Sequence, residues 1–460
     1  RNGSGQMRKE EDLLEKYHQR LSRVNTMKLM GTVSRATSML IESLGPEVPV
    51  GELCKLTTQN EDESVLAEVV GFKEKRTLLM PIGDTDGISP KSEVIATGYP
   101  LNVKLGTSLM GRVLDGLGNP MDNKGPIIYD EMGAVYNDPP DPMERHLITE
   151  PISTGIRAID SLLTCGKGQR LGIFSGSGVG KSTLLGKIAR SSKADVNVIA
   201  LIGERGREVR EFIEHNLGEE GLKKSVVVVV TSDKPVIVRL KGGFVATTIA
   251  ENLRDRGMDV MLLMDSITRL ANAQREIGLA IGEPPTTRGY TPSVFSILPK
   301  LLERPGTTSK GSITALYTVL VEGDDFNEPV SDTVRAILDG HIVLSRKMAA
   351  QNHYPAIDIL NSVSRCMIDI VSPEHMQAAQ RLKSTYSIYK DAEDMINVGA
   401  YVEGKNPKID YSTKMIDKIT EFLRQETDEQ CNYEEDITRL KDMMTEHGQK
   451  DVKKEAPITN

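Results

Sequence analysis

The stretch LGIFSGSGVGKST, residues 171–183, decides the fold. It opens with a short apolar run at 171–174, passes through a glycine-rich loop and ends in Gly-Lys-Ser-Thr at the mouth of a helix. Strand, glycine-rich loop, GKS and helix in that order make a P-loop. One position departs from the usual pattern: the first glycine is replaced by Ser175. Gly176, Gly178 and Gly180 leave the backbone free to curl. The N–H groups of Gly176, Ser177, Gly178, Val179, Gly180, Lys181, Ser182 and Thr183 can then face an anion where the helix dipole also favours negative charge. Lys181 is expected to reach the β- and γ-phosphates of a nucleotide, and the Ser182 hydroxyl to bind Mg²⁺. A bare strand-to-helix turn without ligand is the competing reading, and the order of the four elements argues against it.

Around this loop, residues 151–345 alternate apolar runs with helical stretches. The further candidate strands are 196–202, 226–230, 260–264, 313–319 and 341–345. Near-continuous apolar runs are buried on both faces, which predicts a parallel sheet covered by helices. In such sheets ligands collect beyond the carboxyl ends of the strands, so the residues that follow each strand matter. The run 260–264 ends in Asp265, the acid of a Walker B pattern, expected to hold Mg²⁺ through water. Asp265 also precedes ITRLANAQREI and can serve as a helix cap. The run 313–319 leads to Glu322, Asp324 and Asp325, which either order water and metal or form a solvated acidic loop. The strand at 196–202 discharges into Glu204, Arg205, Gly206, Arg207 and Glu208. A surface salt-bridge cluster at a helix start explains part of this, since Arg207 and Glu211 stand four apart. The alternative is active-site machinery on the edge that carries the P-loop.

The flanks differ in character. Residues 1–26 read as a tag remnant (RNGSGQ) and an amphipathic helix at 8–26, with Leu14, Tyr17, Leu21 and Val24 on one stripe. That helix either packs on its own body or docks a partner. Short β-rich runs separated by turn residues at 27–100 predict a small barrel or sandwich. Residues 101–150 are Gly- and Pro-rich and read as a connection with little regular structure. Residues 151–365 form the P-loop domain of this reading, and 366–460 a helical domain, with helical patterns dominating from about 346.

Composition bounds the function. Of 460 residues, 38% are hydrophobic and 27% charged, as in a soluble globular protein, and no apolar run reaches the ~18 residues of a membrane span. The four cysteines lack metal-ligand spacing, so a reduced, cytoplasmic protein is expected. A net charge of −8 and 4% aromatic residues argue against a nucleic-acid partner.

Phosphoryl transfer gains ~10³–10⁵ in rate from an added arginine, so a catalytic Arg belongs in a deliberate place. Arg365, in YPAIDILNSVSRCM after the core strands, is the candidate; on chemistry alone a helix-surface Arg is an equal reading. PAID at 355–358 and SVSR at 362–365, with the order P-loop, GER and Asp265, resemble the signature of the ATP synthase α/β superfamily. Residues 255–306 (DRGMDVMLLMDSITRLANAQREIGLAIGEPPTTRGYTPSVFSILPKLLERPG) resemble the flagellar protein-export ATPases of the type III secretion ATPase family. Injectisome relatives are similar and usually differ around AQREI and GEPP. The resemblance spans about 27 to 430 and is strongest from 151 to 370.

The resemblance implies a RecA-like α/β ATPase core with an N-terminal β-barrel and a C-terminal helical domain, hydrolysing ATP with Mg²⁺. Glu204 would polarise the attacking water, with Arg205 and Glu208 close by, and Arg365 would reach into a neighbouring subunit's site. Carrying both Glu204 and Arg365, one chain type fits a homohexamer with six equivalent sites. The resemblance further implies a stator-like regulatory protein at the N-terminal helix, export gate and stalk proteins, and export substrates with their chaperones at the C-terminal domain. Its place would be peripheral, at the cytoplasmic face of the inner membrane. Rotary catalytic subunits carry a Tyr after a Glu-His pair to stack the adenine. The matching run here is Glu374-His375-Met376, which leaves Phe422 and Tyr401 as candidate rings. The alternatives are an injectisome ATPase, a rotary ATP synthase catalytic subunit and a hexameric RNA translocase.

Overall fold

The computed structural model describes residues 28–58, 63–321, 323 and 325–445. The amphipathic segment at 8–26, Glu322 and Asp324 lie outside them. The chain divides into two compact units, 1–101 and 102–460.

The first unit is a closed antiparallel barrel of β1 (Met30–Ala36), β2 (Ile41–Leu44), β3 (Glu52–Thr57), β4 (Ser64–Lys73), β5 (Arg76–Pro81) and β6 (Glu93–Pro100), in the order β1-β2-β5-β4-β3-β6. Closure pairs β1 with β6 and leaves no open edge. Val33, Ile41, Leu56, Val69, Leu79 and Val94 fill the interior.

In the second unit, β7 (Asn102–Leu105) pairs with β9 (Glu131–Ala134), and β8 (Val113–Asp115) joins the central sheet in parallel beside a later strand. This corrects the expectation of little regular structure at 101–150. Carboxylates organise its turns: Asp115 accepts from the backbone N–H groups of Leu117 and Asn119, and Asp122 from that of Val113 and from Arg112. A small ribbon follows, β10 (Pro151–Ile152) with β11 (Cys165–Gly166). The remaining strands are β12 (Arg170–Ser175), β13 (Val196–Glu204), β14 (Ser225–Thr231), β15 (Asp259–Asp265), β16 (Gly306–Thr307), β17 (Ser312–Leu320), β18 (Gly340–Leu344) and β19 (Ile357–Ser364).

The sheet runs β19-β18-β12-β17-β15-β13-β14-β8, with β16 paired to β17. From β18 to β8 its neighbours are parallel; β19 is antiparallel to β18. The strand β19 corrects the expectation of helical structure beyond 346. Ile357, Ile359 and Ser362 are buried, whereas Leu360, Asn361 and Val363 are exposed, as suits an edge strand. Leu171, Ile173, Ile199, Leu201, Val227 and Val229 pack from one face of the sheet into a core that includes Ile188, Leu382, Met415 and Phe422. The helix Val236–Asp255 packs against β13, β14 and β15, closely enough that a Cβ at Gly242 would lie 2.4 Å from Val230 Cγ2. The carboxy-terminal helices are Pro373–Asn397, Pro407–Leu423 and Tyr433–Thr445. Arg157 ties the last two to the ATPase core through Asp436, Glu429 and the carbonyls of Phe422 and Arg424.

Candidate active site

The strand β12 ends at Ser175, whose side chain is buried. Because that position is still extended strand, no glycine is required there, which accounts for the departure from the P-loop pattern. The conformational demand falls on Gly178 (φ 78°) and Gly180 (φ 86°), both in the left-handed region. Gly180 caps the helix Lys181–Ser191, and Ser182 and Thr183 are exposed on its first turn. The loop floors a cleft of about 720 Å³ that Glu204, Arg205, Glu208, Arg269 and Arg346 also line.

Neighbouring parallel strands bring the acids together. Asp265 ends β15 and Glu204 ends β13, on the edge where β12 enters the P-loop. Lys181 Nζ lies 2.6 Å from Asp265 Oδ1 and 4.0 Å from Glu204 Oε1. Thr318 on β17 donates its hydroxyl to the same Asp265 oxygen at 2.7 Å. Asp265 also precedes a helix, yet Ser266 is the cap: its side chain accepts from the Arg269 N–H. The carboxylate of Asp265 thus faces the cleft lysine. Burial raises the Glu204 carboxyl to about 7, helped by the charge of Asp265 and a hydrogen bond with Glu208, while Lys181 and Arg269 pull the other way. A carboxyl with that affinity for protons is matched to proton transfer near neutral pH.

The charged burst after β13 has two parts. Gly203 (φ 72°) and a break in register between Ile202 and Glu204 turn the chain out of the sheet. Glu204 turns into the cleft, whereas Arg205 precedes the next helix without a side-chain capping bond and is 82% exposed. The surface pairs are Arg205 with Glu208 at 3.4 Å and Arg210 with Glu214 at 2.8 Å. Among the described residues no ion pair joins Arg207 to Glu211. A π-helical turn, Phe212–Leu217, then packs Asn216 against Gly186 so tightly that a Cβ there would lie 2.6 Å from it. Of the acidic loop after β17, Asp325 is described, and it pairs with Arg288 at 2.7 Å.

Three residues missed in the sequence complete the site. Arg269 stands one turn into the helix that follows Asp265, and its stem packs on Gly203. The Arg346 guanidinium lies against Gly176, where a Cβ would come within 2.3 Å of its Nε. On the other side of the P-loop, a cavity of about 470 Å³ is lined by Gly178, Val179, Gly180, Thr183, Tyr354 and the segment 424–427. The Tyr354 ring reaches Gly180 and is 43% exposed, which makes it the ring placed to stack a base. The expected rings are elsewhere: Phe422 is fully buried beneath the Arg157 and Arg439 guanidinium groups, and the Tyr401 hydroxyl is bonded to Asp410. His375 is buried with its Nε2 against the Ser161 carbonyl oxygen at 2.7 Å. Tyr354 directly precedes the PAID run at 355–358, and that adjacency is the available signal.

Arg365 is not part of its own chain's cleft. The antiparallel register pairs Ser364 with Gly340, the first residue of β18, and Ile357 with Leu344, the last. At roughly 3.3 Å per strand residue, Arg365 leaves the sheet about 13 Å from the P-loop edge. It follows a strand rather than standing on a helix, and it is exposed.

Comparison with known proteins agrees with this geometry. The family model for the ATP synthase alpha/beta nucleotide-binding domain matches residues 155–364, and that for the family's beta-barrel domain residues 33–98. The model for the T3SS EscN ATPase C-terminal domain matches residues 371–442. The chain is 53% identical over 419 residues to the flagellum-specific ATP synthase of Bacillus subtilis, covering 90% of this chain and 95% of that one. It is 51% identical over 410 residues to the type 3 secretion system ATPase of Xanthomonas euvesicatoria, covering 89% and 93%. The assembled ATPase EscN from the enteropathogenic E. coli type III secretion system superposes with a TM-score of 0.86 at 45% identity, covering 90% of this chain and all of that one. With a P-loop, a strand-end acid and a strand-end glutamate on one edge of a parallel sheet, and with matches to the family's barrel and carboxy-terminal domain models, the chain belongs to the ATP synthase α/β family, as an ATPase of the branch shared by flagellar and type III secretion systems.

Proposed function

We propose that this chain hydrolyses MgATP to assist export of flagellar proteins through a type III secretion apparatus. The observation that carries the chemistry is Lys181 Nζ, held between Asp265 and Glu204 above the P-loop. The cradle of N–H groups from Gly176 to Thr183 takes the phosphates, and Lys181 neutralises them. One exposed hydroxyl, Ser182, and one buried carboxylate, Asp265, fit Mg²⁺, which keeps several waters and binds few protein groups beside substrate phosphates. When bound there, Mg²⁺ would supply positive charge to offset that of the substrate phosphates, with Ser182 and Asp265 as the residues that would hold it. Glu204, 13% exposed at its side chain, orients the attacking water and draws its proton; Arg205 and Glu208 stand at the rim.

Arg365 completes the site from a neighbouring copy, because its own cleft lies on the opposite edge of the sheet. Head-to-tail copies close into a ring, and six equivalent sites make a homohexamer. The solved EscN assembly, and its structure in complex with the central stalk EscO, support a ring with a stalk partner. The reading extends to a stator-like protein at the N-terminal helix, the export gate, and substrates with their chaperones at the carboxy-terminal helices. Among the described residues no helix is long and apolar enough to cross a membrane; the proposed place is peripheral, at the cytoplasmic face of the inner membrane.

In the bacterium that encodes this chain, Glu204→Gln should stop secretion of flagellar subunits into the medium while the protein still accumulates. Normal secretion by that variant would refute the proposal. The 51% identity to the Xanthomonas secretion ATPase supports a second reading, an injectisome ATPase. Secretion of injectisome substrates with unchanged flagella would favour it.

A further inference from the structure

From the network beneath Arg365 we infer that Gln169 is a positioning residue, holding the Arg365 turn in register for its work on a neighbouring copy. The inference rests on the proposed action of Arg365 in trans. Gln169 precedes β12 and is fully buried. Its Nε2 donates to the Asp339 carbonyl oxygen and to Ser364 Oγ, both at 3.0 Å, and its Oε1 accepts from the Gly166 N–H at 2.9 Å. The amide can face only one way, because a carbonyl oxygen cannot donate and a backbone N–H cannot accept. Ser364 Oγ in turn donates to the Thr164 carbonyl oxygen at 2.8 Å. The Asp339 carbonyl that takes the Gln169 bond also takes the Arg365 N–H, at 3.0 Å.

Two further constraints close on the same turn. The Asp339 carboxylate is gripped by Arg170 through its backbone N–H, Nε and Nη2 at 3.0 to 3.1 Å. Gly340 (φ 150°) lets the chains approach so closely that a Cβ there would lie 2.4 Å from the Val363 carbonyl oxygen. Arg365 itself is exposed. A buried, fully bonded anchor beneath an exposed arginine is what preorganisation requires, since a displacement of about 1 Å at a catalytic group can cost ~10²-fold in rate. The ordinary alternative is that Gln169 only satisfies polar groups at the end of the sheet. That role would lower stability without regard to which copy supplies the arginine.

The experiment compares Gln169→Ala, Ser364→Ala and Arg365→Ala, alone and mixed with Glu204→Gln before ring assembly. Ser364→Ala carries the test if Gln169→Ala does not fold. The first two should lower kcat about 10- to 100-fold with MgADP affinity and KM for ATP unchanged. Mixing either with Glu204→Gln, whose Arg365 is intact, should restore turnover, whereas mixing with Arg365→Ala should not. If Arg365→Ala is rescued by Glu204→Gln while the folded Gln169 and Ser364 variants keep full kcat, lose nucleotide affinity or resist rescue, the positioning role is overturned. If Arg365→Ala itself resists rescue, action in trans fails and the inference falls with it.

Discussion

Lys181 Nζ stands 2.6 Å from Asp265 Oδ1, an oxygen that Thr318 also binds. The P-loop lysine and the strand-end acid are thus in register before any phosphate contact is considered, because β12 and β15 both flank β17 in parallel. Asp265→Asn keeps the shape but removes the charge. ADP affinity without Mg²⁺ should not fall, while the gain from added Mg²⁺ should shrink by about 10-fold, the usual worth of a charge-assisted bond. Calorimetric titration with ADP and with MgADP checks this.

Glu204→Gln should leave nucleotide binding nearly intact and lower turnover by roughly 10²–10⁴, the range for a positioned acid–base group. Near-wild-type turnover would return Glu204 to a structural ion-pair role.

The raised Glu204 carboxyl, at about 7, also predicts pH dependence. In the proposed role the water-activating form is the carboxylate, so kcat/KM should climb as pH rises through about 7, and Glu204→Gln should lose that limb. Stability runs the other way. The fold favours the neutral carboxyl, a contribution fully present below the ordinary carboxylate range and lost as pH rises through about 7. Glu204→Gln should therefore gain Tm relative to wild type at pH 8 and much less at pH 4. Equal Tm differences at both pH values would contradict the assignment.

Tyr354→Ala should raise KM for ATP by roughly 5- to 100-fold, the loss of one base-stacking ring, whereas Tyr354→Phe should stay near wild type. A Phe422→Tyr variant tests only packing and should not shift KM. Steady-state kinetics of the three variants separate a base platform from a core ring.

Arg157→Ala should destabilise the protein by about 3–5 kcal/mol, the cost of stranding a buried partner charge. Its target is Asp436, 9% exposed at its side chain and bonded to Arg157 at 2.9 Å. Chemical denaturation followed by circular dichroism measures this.

Much of the core was legible because its signals are local. The P-loop compresses strand, turn and helix into one continuous stretch, and the apolar runs at β13, β14, β15 and β17 are too uniform to be read as anything but strands buried on both faces. Strand ends mark Asp265 and Glu204 as candidates, but a helix cap and a surface ion-pair cluster fit the same positions, and the role of Glu204 rests on the family resemblance. What stayed hidden depends on tertiary placement. The strand β8 is three residues long between glycine turns, and its pairing with β14 is invisible in sequence. The edge strand β19 carries Asp358, Asn361 and Ser362, so its alternation is broken and reads as helix or loop. Arg269 lies in an ordinary helical first turn, and Arg346 follows a strand as any solvent-facing basic residue can; only the packing of their side chains on Gly203 and Gly176 brings them to the cleft. Tyr354 is not among the rings the sequence suggests, Phe422 and Tyr401, because sequence pattern says nothing about which ring stays exposed beside the P-loop.

The central claim is that one ATP site draws Lys181 and Glu204 from one copy and Arg365 from the next. Mixing Arg365→Ala with Glu204→Gln, each nearly inactive alone, tests it most directly. In a randomly mixed ring roughly a quarter of the head-to-tail interfaces pair an intact cleft with an intact arginine, so ATPase activity should recover to about that fraction of wild type. A mixture no more active than its separate components would contradict the claim.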